Sequence, residues 1–320
     1  MVVEGFKNDR TNIFTQPGTI PASYGVAAAN VPRANLGIMN NKGYEFTLGW
    51  NESTSQISYN ILAQVSYAKN EIVYNAEAQN PYPWMNSAGY SFGQYKGFVS
   101  DGFYNTQAEL NNRPNLTFNG NQAALGDIRY KDINGDGLID ASDRVPIGYT
   151  NRALFDFSLK TGVSYKNFDL NVLFIGKAKG SFNINNGMNH PFVKNAGNAF
   201  QWQYDGRWTP EKVANGEKIT FPRATISGSA SESNNYQNSD FWLVSNAFKK
   251  LKNVEIGYSF KNYEFLKKVH ISSLRIYANG NNLITWDNAF DEIDPEQTDS
   301  GTSYLFPLTR AFIFGANIRF

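Results

Sequence analysis

Alternation of apolar and polar residues at period two is the dominant pattern of this chain, and it is clearest at the carboxyl end. Between Arg310 and Phe320, aromatic and aliphatic side chains fall on one face of an extended strand. Gly315, Asn317 and Arg319 fall on the other face. The apolar set is Phe312, Phe314, Ala316, Ile318 and Phe320. This segment predicts a β-strand between an apolar and a polar environment.

The same alternation recurs along the chain and predicts hairpins. One hairpin joins two alternating runs through the short connection Glu52 to Ser55, and a second turns at Lys166-Asn167. The tally is about ten strands, several of them longer than is usual in soluble proteins. The clearest runs are Gly43 to Asn51, Gln56 to Tyr67, Phe155 to Tyr165, Phe168 to Phe174, Phe248 to Phe260 and Leu274 to Asn281.

Long irregular segments alternate with these short turns. They are rich in Asn, Gly and Pro. Elsewhere, Thr106 to Asn111 has the pattern of one short helical turn. Short turns on one side and long loops on the other are typical of outer-membrane barrels. The long segments are Asn8 to Lys42, Asn75 to Gly93, Lys177 to Ser239 and Thr285 to Pro307.

Two all-β folds explain this pattern: an antiparallel transmembrane β-barrel portion and a soluble sandwich. Strand length and loop asymmetry favour the barrel. Mean hydropathy is -0.45, and no apolar run approaches the roughly 20 residues of a spanning helix. A net charge of +1 without a basic cluster gives no signature of nucleic-acid binding. The alternative remains a secreted, calcium-stabilised β-sandwich that binds carbohydrate.

One loop has the residue spacing of a calcium site. Oxygen-bearing side chains recur at positions 1, 3, 5, 9 and 12 of a twelve-residue loop, with glycine at position 6 and a backbone carbonyl at 7. Position 12 is an aspartate where the template has a longer glutamate. An Asx-rich turn that caps its own amides is the competing interpretation. The candidate ligands of a structural Ca²⁺ are Asp132, Asn134, Asp136, Leu138, Asp140 and Asp143.

Other residues carry weaker signals. Trp84, Trp202 and Trp208 in long loops could stack on sugar rings, but loop packing or a place in an aromatic belt is the stronger expectation. His190 and His270 are isolated in sequence and are expected to be surface or loop residues.

The polar faces of the strands are expected to line a lumen. Glu45, Asp169, Glu255 and Arg275 should point into it and set its polarity. No nucleophile elbow or other catalytic motif occurs, and the two histidines and the absence of cysteine leave little for metal or thiol chemistry. The chain is therefore not expected to be an enzyme.

Six segments in order resemble the C-terminal part of SusC/RagA-family TonB-dependent outer-membrane transporters. They span most of the chain, and their combination is specific where each alone is weak. The segments are Asn35 to Phe46, Gly126 to Asp140, Asp240 to Leu243, Leu251 to Tyr258, Leu274 to Leu283 and the terminal strand.

This resemblance implies a place in the cell outer membrane, in contact with its lipid. The family's barrel has about 22 strands around a plug. It imports oligosaccharide or peptide with a SusD-like lipoprotein and the TonB system. About ten strands would be an incomplete part of that barrel. Residues 1-320 are therefore expected to be one barrel portion, a fragment without the plug domain, and Met1 to Lys7 has no signal-peptide pattern.

Overall fold

One antiparallel sheet of eight strands forms the main body of the protein. The structure, a computed structural model, describes residues 1–18, 25, 30–185, 190–192, 197–226, 234–261, 263–287, 294–296 and 308–320, without the side chains of residues 119 and 267. The eight strands lie in chain order, each hydrogen-bonded to the next. They are β1 (Val2–Thr15), β2 (Ala34–Ser53), β3 (Ile57–Tyr74), β10 (Phe155–Tyr165), β11 (Phe168–Ala178), β14 (Phe248–Lys261), β15 (Ser273–Asp287) and β16 (Ala311–Arg319).

The register of these strands aligns their apolar positions into one continuous face. Leu159 on β10 is opposite Ala63 of β3 and Phe174 of β11. At the far end, Phe314 of β16 is opposite Ala278 of β15. Because side chains alternate between faces, every polar run then falls on the opposite side. The period-two pattern of the sequence is thus a property of the whole sheet.

The apolar face is exposed along its length. Trp50 retains 58% of its accessible surface and Phe314 retains 80%. A sandwich would bury this face against a second sheet, and no such sheet covers it in the described ranges. The sandwich alternative is therefore not the fold. None of the described helices is long and apolar enough to span a membrane.

The two ends of the sheet differ in their connections. At one end the strands are joined by short turns, including the connection from β10 to β11 at Lys166, whose φ is +55°. The turn between β14 and β15 carries the short helix α4 (Glu264–Lys268). Long segments connect the strands at the other end, as the alternation of short and long loops predicts.

Two of the long segments, between β3 and β10 and between β11 and β14, fold into a packed body of short elements. Its two apolar clusters centre on Phe98 and on Trp242, both fully buried. The elements are β4 (Lys96–Gly97), β5 (Ser100–Phe103), β6 (Asn115–Leu116), β7 (Ile128–Tyr130), β8 (Leu138–Ile139), β9 (Val145–Pro146), β12 (Ser181–Asn183) and β13 (Leu243–Ser245), with helices α1 (Gln107–Asn111), α2 (Gln201–Gly206) and α3 (Pro210–Ala214).

Three sequence predictions are wrong in detail. The segment Asn8 to Lys42 is not irregular throughout, because β1 continues to Thr15 and β2 begins at Ala34. These strand ends mix polar and apolar residues without a regular period of two, as in Ile13-Phe14 and Ile38-Met39. The main sheet has eight strands instead of about ten, because the remaining extended segments are only two to four residues long. Lys177 to Ser239 contains helices and buried aromatic residues in its described parts; its residues 186–189, 193–196 and 227–233 lie outside them.

Candidate functional site

An ion-pair network crosses three strands on the polar face of the sheet. Arg275 on β15 donates two hydrogen bonds to Asp169 on β11, at 3.0 and 2.5 Å. It donates a third to Glu255 on β14, at 2.7 Å. Two carboxylates on neighbouring strands would repel each other without this guanidinium. All three side chains share the polar face, as the alternation predicts.

Asparagine amides extend this network along β14 and β15. Asn279 donates to Glu255 at 3.1 Å, and Asn253 donates to Asn279 and Asn281 at 3.0 and 2.8 Å. Such a surface offers amide donors and acceptors as well as charge. It is suited to water or to polar solutes, and not to an apolar core.

A second cluster holds part of the loop between β15 and β16 against the polar face. Lys250 on β14 is fully buried and lies 3.3 Å from Asp294 and 2.7 Å from Glu296. Lys252 lies 3.0 Å from Glu296. Burial raises the pKa of Glu296, but hydrogen bonds from Lys250 and Lys252 outweigh it and hold that pKa below its usual value. These ion pairs hold residues 294–296 against the polar face of the sheet.

A cavity of about 410 Å³ opens between this segment and the wall of the sheet. Its charged lining residues are Glu45, Asp156, Lys177 and Glu296, and hydroxyl and amide groups lie between them. Glu45 accepts a hydrogen bond from the Ser66 hydroxyl at 3.4 Å. The cavity therefore has a mixed, mainly acidic surface that can accept hydrogen bonds from a polar solute.

The predicted calcium loop is a tight turn of side-chain-capped amides. Asp132 accepts hydrogen bonds from the backbone N–H groups of Gly135 and Gly137 at 2.7 and 2.8 Å. Gly137, at position 6, has φ +82°, which meets the template's need for a sharp turn. Asn134 accepts from the N–H of Asp136 at 3.1 Å. The turn geometry that the spacing predicts is present.

The remaining predicted ligands do not converge with these. Asp143 is fully buried and accepts from the N–H groups of Ile133 and Asp140 at 2.7 and 2.9 Å, while Asp140 accepts from Ser142 at 2.6 Å. Leu138 is exposed and lies in β8. No group of three acidic or histidine side chains in the described ranges is placed to hold a metal ion. The donor set fits the Asx-turn interpretation, and calcium binding stays a prediction.

The loop tryptophans contribute mainly to packing within the loops, which is the stronger expectation, and not to a sugar-stacking surface. Trp208 is 8% exposed, and Trp202 packs against the cluster around Trp242. Trp84 donates from its indole N–H to the Ser142 carbonyl at 2.7 Å. Its ring stacks on another loop aromatic 4.7 Å away and stays half-buried. Trp84 therefore borders the acidic loop.

The two histidines lie in loops, as expected. His190 stacks on Tyr236 at 3.5 Å and lies 2.7 Å from the Asn185 side-chain oxygen. His270 is exposed in the turn between β14 and β15.

Sequence reasoning missed the burial of Lys250 and its pairing with residues 294–296. The partners are separated by 44 and 46 residues, and no local pattern connects them. The sequence does contain one signal: Lys249-Lys250-Leu251-Lys252 places lysines on both faces of a strand, which predicts that at least one of them is paired.

A long antiparallel sheet with one apolar exposed face and one polar face is the wall of an outer-membrane β-barrel. No protein-family profile matches the chain. Three curated relatives from Formosa agariphila, the TonB-dependent receptors P3, P26 and P39, are 24%, 26% and 24% identical over 89%, 97% and 90% of the chain. The chain spans 29%, 32% and 31% of their lengths, or about a third.

Solved structures of RagAB share the fold. The RagAB peptide transporter aligns with a TM-score of 0.69, and the RagAB peptide importer in its open-open state with 0.70, both at 16% identity. The alignments cover 99% of this chain and 33% and 32% of those chains. The predicted resemblance to SusC/RagA-like TonB-dependent receptors is thus confirmed. The chain lies in the outer membrane, as these relatives do, and the relatives are receptors and transporters, not enzymes.

Proposed function

We propose that the protein serves nutrient uptake across the outer membrane, as the C-terminal barrel part of a SusC-like TonB-dependent transporter. The single observation that carries this proposal is the continuous two-faced sheet, whose exposed apolar side suits lipid and whose polar side suits an aqueous path. The similarity to TonB-dependent receptors along 89% to 97% of the chain supports it.

The proposed cargo is an oligosaccharide or a peptide. The polar face offers amides, carboxylates and a guanidinium, which can hydrogen-bond either class. Its mixed charge also gives no reason to expect a strongly anionic solute. The proposed partners are a SusD-like lipoprotein at the long-loop end and the TonB system at the other, the latter reached through a plug domain.

Deleting the gene that encodes the protein tests this proposal. Cells with and without the gene are supplied with defined mixtures of oligosaccharides and of peptides, and depletion of each solute from the medium is followed. We expect the deletion strain to deplete one class of solute more slowly, and the wild-type gene to restore the normal rate. A protonophore should abolish this uptake in cells that carry the gene, because TonB-dependent uptake requires an energised inner membrane. Equal depletion of all solutes by both strains would refute the uptake function.

We also propose a structural Ca²⁺ at the acidic loop. The support is the glycine-assisted turn around Asp132 and the unused lone pairs of its carboxylate oxygens, since each oxygen accepts only one N–H. Binding would draw the side chains of Asp136 and Asp140 towards the ion. Its role would be to make the loop rigid.

A further inference from the structure

A row of lysines crosses the apolar face of the sheet near its long-loop end. Lys7, Lys42 and Lys69 are register partners on β1, β2 and β3. They point to the apolar side, because Lys42 lies two residues before Tyr44 and Lys69 lies two residues after Tyr67. Adjacent strands are about 4.8 Å apart, so the three side chains lie next to each other.

A fourth lysine extends the row towards β11. The ammonium group of Lys179 lies 5.4 Å from the ring centre of Phe155, over the apolar face. Phe155 is the register partner of Tyr67 on the neighbouring strand, and their ring centres are 4.8 Å apart. We call Lys7, Lys42, Lys69 and Lys179 the outer-face lysine row.

The row is not neutralised by the protein. Like charges directly opposite on neighbouring strands destabilise a sheet. Lys7 pairs with Asp9 at 2.8 Å, and Glu71 is the other carboxylate near the row. Four ammonium groups and two carboxylates leave a charge of 4 − 2 = +2. The side chains of Lys42 and Lys69 are exposed and make no hydrogen bond or ion pair with any described residue. An anion from outside the protein would supply the missing partner.

The row lies at the boundary of the apolar band. Tyr44 and Tyr67 stack at 5.1 Å and, with Phe155, form the last aromatic level before the lysines. The band runs along β3 from Tyr67 to Ile57, ten residues or about 34 Å, which at a tilt of about 40° spans roughly 26 Å. Aromatic rings at such a boundary occupy the level of lipid headgroups. The lysines therefore lie at headgroup depth in the leaflet next to the long loops.

Polar groups follow directly beyond the lysines. Asp9, Asn40 and Glu71 are the next register level. A free phosphate would leave these groups unused, and so would a phospholipid with a small headgroup. A phosphorylated sugar would place its phosphate against the lysines and its hydroxyls against the carboxylates of Asp9 and Glu71.

We propose that the outer-face lysine row binds the phosphate of a phosphorylated glycolipid in the outer leaflet. The acyl chains of that lipid lie along the apolar face below Tyr44 and Tyr67, and its sugar lies at the level of Asp9, Asn40 and Glu71. This site is separate from the uptake path on the polar face, so it does not depend on the proposed cargo.

Binding of lipid A by the purified full chain in detergent tests the proposal. The probes are phosphorylated lipid A, the same lipid A after enzymatic dephosphorylation, phosphatidylglycerol and inorganic phosphate, and the readout is the dissociation constant. We expect tight binding of phosphorylated lipid A alone. Lys42→Gln with Lys69→Gln should weaken it roughly 30-fold, since each lysine near an anionic lipid surface contributes about a factor of five.

Matched variants separate charge from folding. The pair Lys42→Arg and Lys69→Arg keeps the charge and should keep affinity within a few-fold. Lys160→Gln removes an exposed lysine on the opposite face of β10 and should leave affinity unchanged. Equal binding of dephosphorylated lipid A, equal binding of phosphatidylglycerol, or an unchanged affinity of the double glutamine variant would each overturn the proposal.

Discussion

Single carboxylates organise the loop body through backbone amides. Asp143 is buried, yet each of its oxygens accepts a hydrogen bond from an N–H group, at 2.7 and 2.9 Å. A buried carboxylate is stable only when it is fully hydrogen-bonded. Asp143 therefore determines the shape of the acidic loop whether or not a cation is bound.

Replacing Asp143 with alanine should release this loop. The N–H groups of Ile133 and Asp140 would lose their acceptors while remaining inside, which costs roughly 2 to 3 kcal/mol. We expect their hydrogen exchange to accelerate about 30-fold to 160-fold. Asp136→Ala, at an exposed position of the same loop, is the control and should accelerate neither amide. Unchanged exchange in both variants would show that the carboxylate is dispensable.

Calcium binding can be read from the tryptophan beside the loop. Trp84 contacts the Ser142 carbonyl, and the stacked Tyr82 lies 3.3 Å from the Asn134 amide. Titrating Ca²⁺ should change the indole fluorescence, and a Trp84→Phe variant assigns the change. Asp136→Asn should weaken the response at least tenfold, since Ca²⁺ affinity follows the charge of its ligands. A flat titration up to millimolar Ca²⁺ would leave the Asx turn as the complete explanation.

At the scale of elements, strands and loops are held together by charges placed between them. Arg275 joins β11, β14 and β15, and Lys250 fixes residues 294–296 against the wall. The loop that follows β3 is attached in a similar way, because Glu77 accepts hydrogen bonds from the N–H groups of Ser87 and Ala88 at 2.8 to 2.9 Å.

Removing the guanidinium of Arg275 should weaken the strand network. Arg275→Met leaves Asp169 and Glu255 unpaired on neighbouring strands, and we expect a loss of roughly 1 to 3 kcal/mol in unfolding free energy. The loss is measured by urea unfolding of the chain in detergent. Arg33→Met, at an exposed position before β2, is the control. Asp169→Asn combined with Arg275→Met should recover part of the loss, and a larger loss in the double variant would contradict the repulsion argument.

Attachment of the loop through Glu77 should depend on pH. Burial raises the pKa of Glu77, but hydrogen bonds from Ala88 and Ser87, with a contribution from Lys96, outweigh it and lower that pKa overall. A carboxyl group whose pKa is lower in the folded state than in the unfolded state stabilises the folded state at pH values above its unfolded-state pKa. That stability is lost as the pH falls through the folded pKa.

Hydrogen exchange of the Ser87 and Ala88 amides measures this dependence. Protection, corrected for intrinsic exchange, should be constant above about pH 5 and should fall at lower pH. Glu77→Gln should give weaker protection with no such step. A step of the same size in the glutamine variant would assign the titration to another group.

The sequence predicts the strands far better than the loops. Alternation identifies β10, β11 and β16 because each has one face in an apolar environment and one in a polar environment. It fails at the outer ends of β1 and β2, where neighbouring apolar residues such as Ile13-Phe14 and Ile38-Met39 interrupt the period of two. It also cannot show that Phe98 and Tyr130 share one cluster, or that Lys250 meets Glu296, because these contacts join distant residues. The spacing of the acidic loop predicts its turn, but the burial of Asp143 depends on tertiary packing.

At the scale of the whole molecule, the most important property is the direction in which the apolar and polar faces of the main sheet point. Trp50 and Trp286 lie on the apolar face with 58% and 50% of their surface exposed, whereas Trp242 is fully buried in the loop body. An outer-membrane wall places the first two in lipid.

Quenching by brominated lipids tests this orientation. In bilayers containing the purified chain, we expect strong quenching of tryptophan fluorescence that is largely lost in the double variant Trp50→Phe and Trp286→Phe. Trp84→Phe with Trp202→Phe, which removes two loop indoles, should preserve it. The opposite result would place the loop body, and not the sheet face, against lipid.

The loop body also constrains how such a protein can diversify. Its clusters combine residues from the segment before β10 with residues from the segment after β11, as in the pairing of Arg223 with Asp127 and of Ile128 with Asn235. A genetic crossover within the β10 to β11 hairpin would separate these partners and leave Asp127 buried without its cation. Recombination between related genes should therefore exchange both segments as a unit, with crossover points outside them.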